Sequence, residues 1–427
     1  METNNKSLSF PEFLNSLQSA KHLDFSAKLG GKVSDETEFS KMKEHLFDHY
    51  KGVEVLHSFV DDDGSIFDCM PIEKQPSVLH LGQSVAKPPE FPQKERKAGP
   101  SEYGKATMVS SPLKPNLKDK FGNAMSCPSG SVPIRRIGLD ELARDNSLQD
   151  FLLKVHGRYG RRPDGKRPQG AFGGADNFSH HWGIGYQDVE NIGGQSVMNI
   201  WTPPINEQNG QVFSLSQQWY VGVDSNMEQT LEVGWHVYPR IYDHSLVVRY
   251  FVLYTTNNYT TFCYNSKCDR FVSFNNSTLI GSPVGSTSTM NGEQFEIKVS
   301  VLLHQGSWWI YIGGINPSDI VGYVPASVYG NGPMATHASR IEYGGETCIS
   351  RGSTNWPSMG GGAFANAGWQ KAAYHKDISY VSLSGDPMDP SLTSYADSQC
   401  YTSLVGRAAD PNWLDTVWFG GPGGNNC

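Results

Sequence analysis

Long apolar runs are missing from this 427-residue chain. Only 38% of its residues are hydrophobic, and no stretch approaches the roughly 18 apolar residues that a membrane-crossing helix needs. No membrane partner is therefore expected. Basic charge is also short: 35 Lys and Arg stand against 43 Asp and Glu, a net charge of -8. That excludes the basic footprint of a nucleic-acid binder. The opening METNNKSLSF lacks the charged-then-apolar layout of a secretion signal. Either export follows another route, or a signal was removed before this numbering begins. Motifs are missing too. There is no H-E-x-x-H, G-x-S-x-G, G-x-x-x-x-G-K-[ST], D-[ST]-G or C-x-x-C. Zincin, serine-hydrolase, P-loop, pepsin-type and zinc-ribbon chemistry lose their signatures. DDDGSIFD fails as a calcium loop because its glycine is misplaced and no glutamate closes it. His180 and His181 are adjacent, so on a strand they point to opposite faces and do not share a metal. No cofactor and no metal is expected.

Tryptophan is absent from residues 1–167, while all ten lie in 168–427. The first stretch carries 25 basic and 23 acidic side chains, the second 10 and 20. A nearly neutral, charge-dense part precedes an acidic, aromatic one. At roughly 150 residues per domain, two or three domains are expected.

The first part reads as small α+β. Phe10, Phe13, Leu14 and Leu17 have helical spacing, as do Met42, Leu46 and Tyr50. FVDDDGSIFDCMPI reads as strand, turn, strand around Asp63-Gly64. Residues 77–119 are rich in Pro and Lys and read as an extended linker without its own core. CPSGSVPIRRIGLDELARD reads as a turn and strand leading into a short helix. GRYGRRPDGKRPQG, with Arg161, Arg162, Lys166 and Arg167, reads as an exposed linker or a cleavage region.

After Gly170 the chain reads as all-β. Segments such as VFSLSQQWYVGV, TLEVGWHVYP, SLVVRYFVLYTT, SWWIYIGG and ASRIEYGGETC are rich in Val, Ile, Tyr, Trp and Thr, with Gly, Asn, Ser and Pro between them. Short strands at this spacing imply an antiparallel β-sandwich or barrel. Among the seven cysteines, three local pairs are the simplest assignment: Cys69 with Cys127, Cys263 with Cys268 and Cys400 with Cys427, leaving Cys348 over. Many other pairings are open. With N-x-S/T sequons at Asn5, Asn177, Asn258, Asn275 and Asn276, the cysteines point to an oxidising, extracellular location.

Chemistry then falls to carboxylates inside strands. In TLEVGWHV, period-2 alternation puts Glu232, Gly234 and His236 on one face; in RIEYGGET it groups Glu342, Gly344 and Glu346. Glycine in a strand marks close approach of another backbone or a ligand, so both glutamates border positions where an extended peptide could lie. A facing pair of glutamates suits acid/base work: mutual repulsion keeps one protonated while the other activates water.

These segments resemble the neprosin family, prolyl endopeptidases of the glutamic peptidase type. The likeness runs in the family's order through VMNIWTP, VFSLSQQW, TLEVGWHVYP with Tyr242-Asp243, FCYNSKC, SWWIYIGG, VGYVP, RIEYGGE, SMGGGAF and FGGPG. GSIFDCMPIEKQP and CPSGSVPIRR resemble the family's propeptide. The resemblance implies a β-sandwich catalytic domain over 181–427, an inhibitory prosegment over 1–156 and a basic processing linker over 157–180. It implies cleavage after proline, favoured by acid, on proline-containing peptides and proteins. The catalytic pair it implies is Glu232 and Glu346, with Glu342 the alternative partner, and the pairs Cys263–Cys268 and Cys400–Cys427 fit its pattern. In the expected groove, substrate passes Gly234 and Gly344, and Gln217 orients water or the developing oxyanion. Tyr238 is the best aromatic for proline among Trp219, Trp235, Tyr238 and Trp309; alternation turns Trp235 toward the core. Acid is expected to loosen the prosegment and trigger self-cleavage near 157–181. The rival readings are a carbohydrate-active or carbohydrate-binding sandwich and a non-catalytic surface sandwich.

Overall fold

The computed structural model describes residues 9–26, 33, 35–61, 64–93, 103–109, 118–152, 178–224, 227–242, 244–259, 261–275, 280–425 and 427. Arg161, Arg162, Lys166 and Arg167 lie outside them, as do Asn5, Asn177 and Asn276. Among the described residues no helix is long and apolar enough to cross a membrane. The chain divides into two compact units: Met1–Ala86 with Leu113–Lys154 and Cys263–Leu279, and Lys87–Pro112 with Val155–Phe262 and Ile280–Cys427.

The first unit is α+β. Helix Phe10–Ser19 starts with proline in its first turn, where the missing N–H costs nothing. Asp35 caps helix Glu36–His49 by accepting from the Glu38 N–H at 2.9 Å. Their apolar stripes, Phe10 and Leu17 with Phe39, Met42 and Leu46, bury against Met70, Val132 and Ile134. The latter three sit on an antiparallel sheet of His57–Val60, Ile66–Pro71 and Ser131–Arg135. Arg136 clamps Asp68 with Nε at 2.8 Å and Nη2 at 2.5 Å, both side chains buried. Losing either partner would strand a buried charge. Cys69–Cys127 and Cys263–Cys268 are bonded in this unit.

The second unit is the antiparallel sandwich the alternation implied. One sheet runs Arg249–Thr255, Met227–Val237, Gln211–Asp224, Ala338–Ser350, Phe178–Asn191 and Thr393–Ala396. The other includes Gly193–Asn199, Phe295–His304, Ser307–Ile312, Ile320–Pro325 and Ala373–Val381. Between them lie Leu231, Val233, Trp235 and Tyr343, all buried. Trp235 Nε1 donates to the Asn199 carbonyl at 3.0 Å, which makes it core. A polar seam also crosses here: His375 bonds Ser196 and Ser216 at 3.0 and 2.8 Å, and burial pushes its pKa down to about 3. Cys400–Cys427 ties the C-terminal strands, and Cys348 is a buried thiol outside all three disulfides.

Two segments depart from the sequence-based division. Cys263–Leu279, expected in the sandwich, belongs to the first unit. There Asp269 accepts from His80 at 2.8 Å and pairs with His49, and Gln75 donates to the Ser273 carbonyl at 2.9 Å. Lys87–Pro112, expected as part of a linker without a core, belongs to the second unit, where its described residues 87–93 and 103–109 make contacts. Thr107–Met108 pairs in parallel with Phe295–Glu296, and Phe91 packs against Tyr311. The Tyr103 ring lies 4.2 Å from that of Trp413. Its few aromatics find partners in the tryptophan-rich half, which composition within the segment could not show.

Candidate active site

The outer face of the first sandwich sheet collects carboxylates that alternation alone had placed on separate strands. The Gln211–Asp224 strand lies between those carrying Glu232 and Glu346. Register sets Gln217 opposite Gly234 on one side and Gly344 on the other. The Gln217 side chain therefore stands between two positions without side chains. Its Nε2 donates to Glu232 Oε2 at 3.0 Å and reaches Glu346 Oε2 at 3.5 Å. One amide thus serves both carboxyls. An NH2 group carries two hydrogens, so it can serve two acceptors at once. Among the described residues, Gln217 Oε1 is buried without a hydrogen-bond partner.

The glycines have a tighter reason than an open groove. A Cβ at Gly234 would lie 2.0 Å from the Ser216 carbonyl oxygen and 2.7 Å from Gln217 Cα. Gly344, at φ +146°, would put one 2.3 Å from the Gly183 oxygen. The approaching backbone is the neighbouring strand in each case, so the expectation of bare backbone awaiting a ligand is corrected: these glycines let the sheet close around Gln217.

Each glutamate has its own second partner. Glu232 Oε1 accepts from Tyr259 OH at 2.9 Å and from Thr230 Oγ1 at 3.1 Å. Tyr259 follows Asn258 in a left-handed turn, with φ of 59° and 48°, and that turn aims its ring back at the sheet. Glu346 Oε1 lies 2.7 Å from His180 Nδ1 on the adjacent strand. His180 Nε2 lies 3.7 Å from Cys348 Sγ. His181 points the other way, toward Asp397 and Trp356, as alternation requires. Glu232, Gln217 and Glu346 are each no more than 3% exposed.

The remaining expected residues fall nearby or elsewhere. Glu342 is buried on the same face but registers opposite Trp219, and Arg340 lies 3.8 Å from it. Gln217 reaches both Glu232 and Glu346, so the geometry groups Glu346, not Glu342, with Glu232. Tyr238 packs on Phe213 and edge-on to His236 at the same end of the sheet as Glu346. Trp309 sits in the other sheet against Tyr323. Sequence reasoning missed Thr230, Tyr259 and His180. Thr230 could have been found, two residues before Glu232 on one strand face; Tyr259 and His180 carried no local signal.

A family model described as Neprosin matches residues 210–422. Three solved structures are similar at low identity. Scytalido-glutamic peptidase with a transition state analog inhibitor is 10% identical, covers 57% of this chain and 98% of its own, with a TM-score of 0.33. SCP-B, a member of the eqolisin family of peptidases in complex with the tripeptide Ala-Ile-His, is 12% identical with the same coverage and a TM-score of 0.29. A beta-porphyranase from the human gut bacterium Bacteroides plebeius is 7% identical, covers 39% of this chain and 54% of its own, with a TM-score of 0.17.

Proposed function

Since this chain carries a neprosin-family domain over residues 210–422, we propose that it is a glutamic endopeptidase, made as a precursor, that hydrolyses peptide bonds after proline at acid pH. The observation that carries this reading is the Gln217 amide held between Glu232 and Glu346. Two buried carboxyls around one donor favour holding a single proton between them, because two adjacent negative charges away from water repel. That is the state in which one member acts as base and the other as acid.

In the reaction the ionised glutamate takes a proton from water as the water oxygen bonds to the scissile carbonyl carbon. The protonated glutamate gives its proton to the departing nitrogen as the C–N bond breaks. No acyl-enzyme forms. Gln217 orients the water or steadies the oxyanion, and its Oε1 offers an acceptor beside both carboxyls. Proline has a fixed φ and no N–H, so its ring needs an apolar slot more than a hydrogen bond. Tyr238 with Phe213 supplies aromatic surface for it.

The prosegment over 1–156 is proposed as an intramolecular inhibitor, removed by a cut in the basic linker near 157–181. Three disulfides support maturation in an oxidising, extracellular compartment. The test is cleavage of proline-containing peptides from pH 2 to 7 by the purified chain, by Glu232→Gln and by Glu346→Gln, beside a panel of glycans. Cleavage after proline that both variants abolish is expected. Glycan cleavage instead, or peptide cleavage untouched by both substitutions, would overturn the reading.

A further inference from the structure

Glu232 and Glu346 share Gln217, yet their other partners differ in kind. Glu232 Oε1 meets the hydroxyls of Tyr259 and Thr230. A hydroxyl either donates or accepts by turning about its C–O bond, so that environment accommodates a carboxylate or a carboxylic acid. Glu346 Oε1 meets a ring nitrogen, His180 Nδ1, at 2.7 Å.

The imidazole is fixed on every side. It is buried, lies parallel to the Trp182 ring at 5.9 Å and meets Phe213 edge-on at 5.8 Å. Its Nε2 lies 3.7 Å from Cys348 Sγ. A thiol pointing S–H at Nε2 puts the ring proton on Nδ1, where it donates to Glu346. A second proton on the ring makes an imidazolium–carboxylate pair without moving an atom. The charged and titratable groups around it are Glu232 and Tyr259 across Gln217, Cys348 on the Glu346 strand, Tyr238 behind Phe213, and Arg240 over the Phe178 ring. Further along the same face are Glu342 with Arg340, and His236 registered opposite Arg249.

We propose that His180 is a positioning residue that makes Glu346 the ionised, water-activating member of the pair and leaves the transferable proton on Glu232. This rests on the peptidase reading above and assigns its two roles. Water's proton passes to Glu346 as the new C–O bond forms. Glu232 gives its proton to the leaving nitrogen, and the proton on Glu346 then returns to Glu232 to restore the starting state.

Two readouts on the full chain test it. The first is kcat and KM on a proline-containing peptide from pH 2 to 6, for the parent, His180→Gln and Cys348→Ser. Glutamine keeps a donor but cannot charge. The expected result for His180→Gln is KM within about twofold, kcat lowered about tenfold at the acid end, and an acid limb displaced upward by about one pH unit. Cys348→Ser should move the limb less. A loss that is uniform across pH, or an unmoved limb, overturns the proposal. The second readout is independent of activity: ring-nitrogen NMR of His180 in the parent and in Glu346→Gln. Removing the carboxylate should release the Nδ1–H tautomer. An unchanged tautomer overturns the proposal even when the peptidase reading stands. If the parent cleaves no peptide at any pH, the peptidase reading fails while the NMR arm still decides the His180 contact. Should His180→Gln not fold by near-UV circular dichroism, Glu346→Gln carries the decision.

Discussion

Gln217 donates to Glu232 from the neighbouring strand, Nε2 to Oε2 at 3.0 Å, and it reaches that carboxyl only because residue 234, opposite it, is glycine. The amide is thus placed by a missing side chain.

Replacing Gln217 with Leu should therefore separate catalysis from binding. Both carboxyls lose a shared donor, and kcat on a proline-containing peptide is expected to fall on the order of a hundredfold with little change in KM. Stability should drop by about 1–3 kcal/mol, as for a buried polar group stripped of its partner. Steady-state kinetics and a thermal melt measure the two effects; a variant with parental kcat would remove Gln217 from the site.

Acid should loosen the first unit at a definite pH. Burial raises the Asp269 pKa, but hydrogen bonds from His49 and His80 outweigh it and hold the carboxyl at about 2. The bond to Asp269 likewise raises His80. The depressed carboxyl stabilises the fold above its ordinary value near 3.8 and loses that contribution as pH falls toward 2. The raised histidine contributes fully below about 6.5 and is lost as pH climbs through its folded value. The cluster is therefore strongest between about pH 4 and 6.5, and acid weakens it only below that window. The Asp269 part amounts to about 2 kcal/mol. Melts of the parent and Asp269→Asn from pH 7 to 2 should converge below about pH 3; curves that stay parallel would show that the cluster does not titrate this way.

The sandwich carries an opposite liability. His375, held neutral between Ser196 and Ser216, has its pKa pushed down to about 3 by burial. The unfolded chain binds a proton there near 6.5 and the folded one does not, so stability declines as pH falls from about 6.5 to 3, by an amount on the order of a few kcal/mol. His375→Asn is expected to melt lower at pH 7 yet lose less on acidification. Thermal midpoints at pH 7, 5 and 3 check this, and equal slopes for the two proteins would refute it.

Cys400 and Cys427 close a loop of sequence separation 27 around the last strands. In the chain-entropy account such a loop contributes about 3–4 kcal/mol. Cys427→Ser should accordingly lower the denaturant midpoint and fray Asp415–Gly420 first, read by hydrogen exchange. Uniform protection across that strand would argue against local anchoring.

Much of this was legible without coordinates. Composition divided an α+β part from a tryptophan-rich β part, and helical spacing located Phe10–Ser19 and Glu36–His49. The short spacings Cys263–Cys268 and Cys400–Cys427, and the place of Cys69 and Cys127 together in the first part, made three local disulfides the simplest assignment, and all three are present. Period-2 alternation put Glu232 with Gly234, and Glu346 with Gly344, on single strand faces, because side-chain direction along a strand is a local property of the backbone.

Strand neighbours are not local, and there the tertiary structure decided. The Gln217 strand separates those of Glu232 and Glu346, and the Phe178–Asn191 strand brings His180 to Glu346 across 166 residues. Register, fixed by which faces must be buried, set Gln217 between two glycines and put Glu342 opposite Trp219. Long-range packing also assigned Cys263–Leu279 to the first unit and Lys87–Pro112 to the second. Those segments are short and have too few apolar residues to form cores of their own, so their place depends on partners that lie far away in the chain.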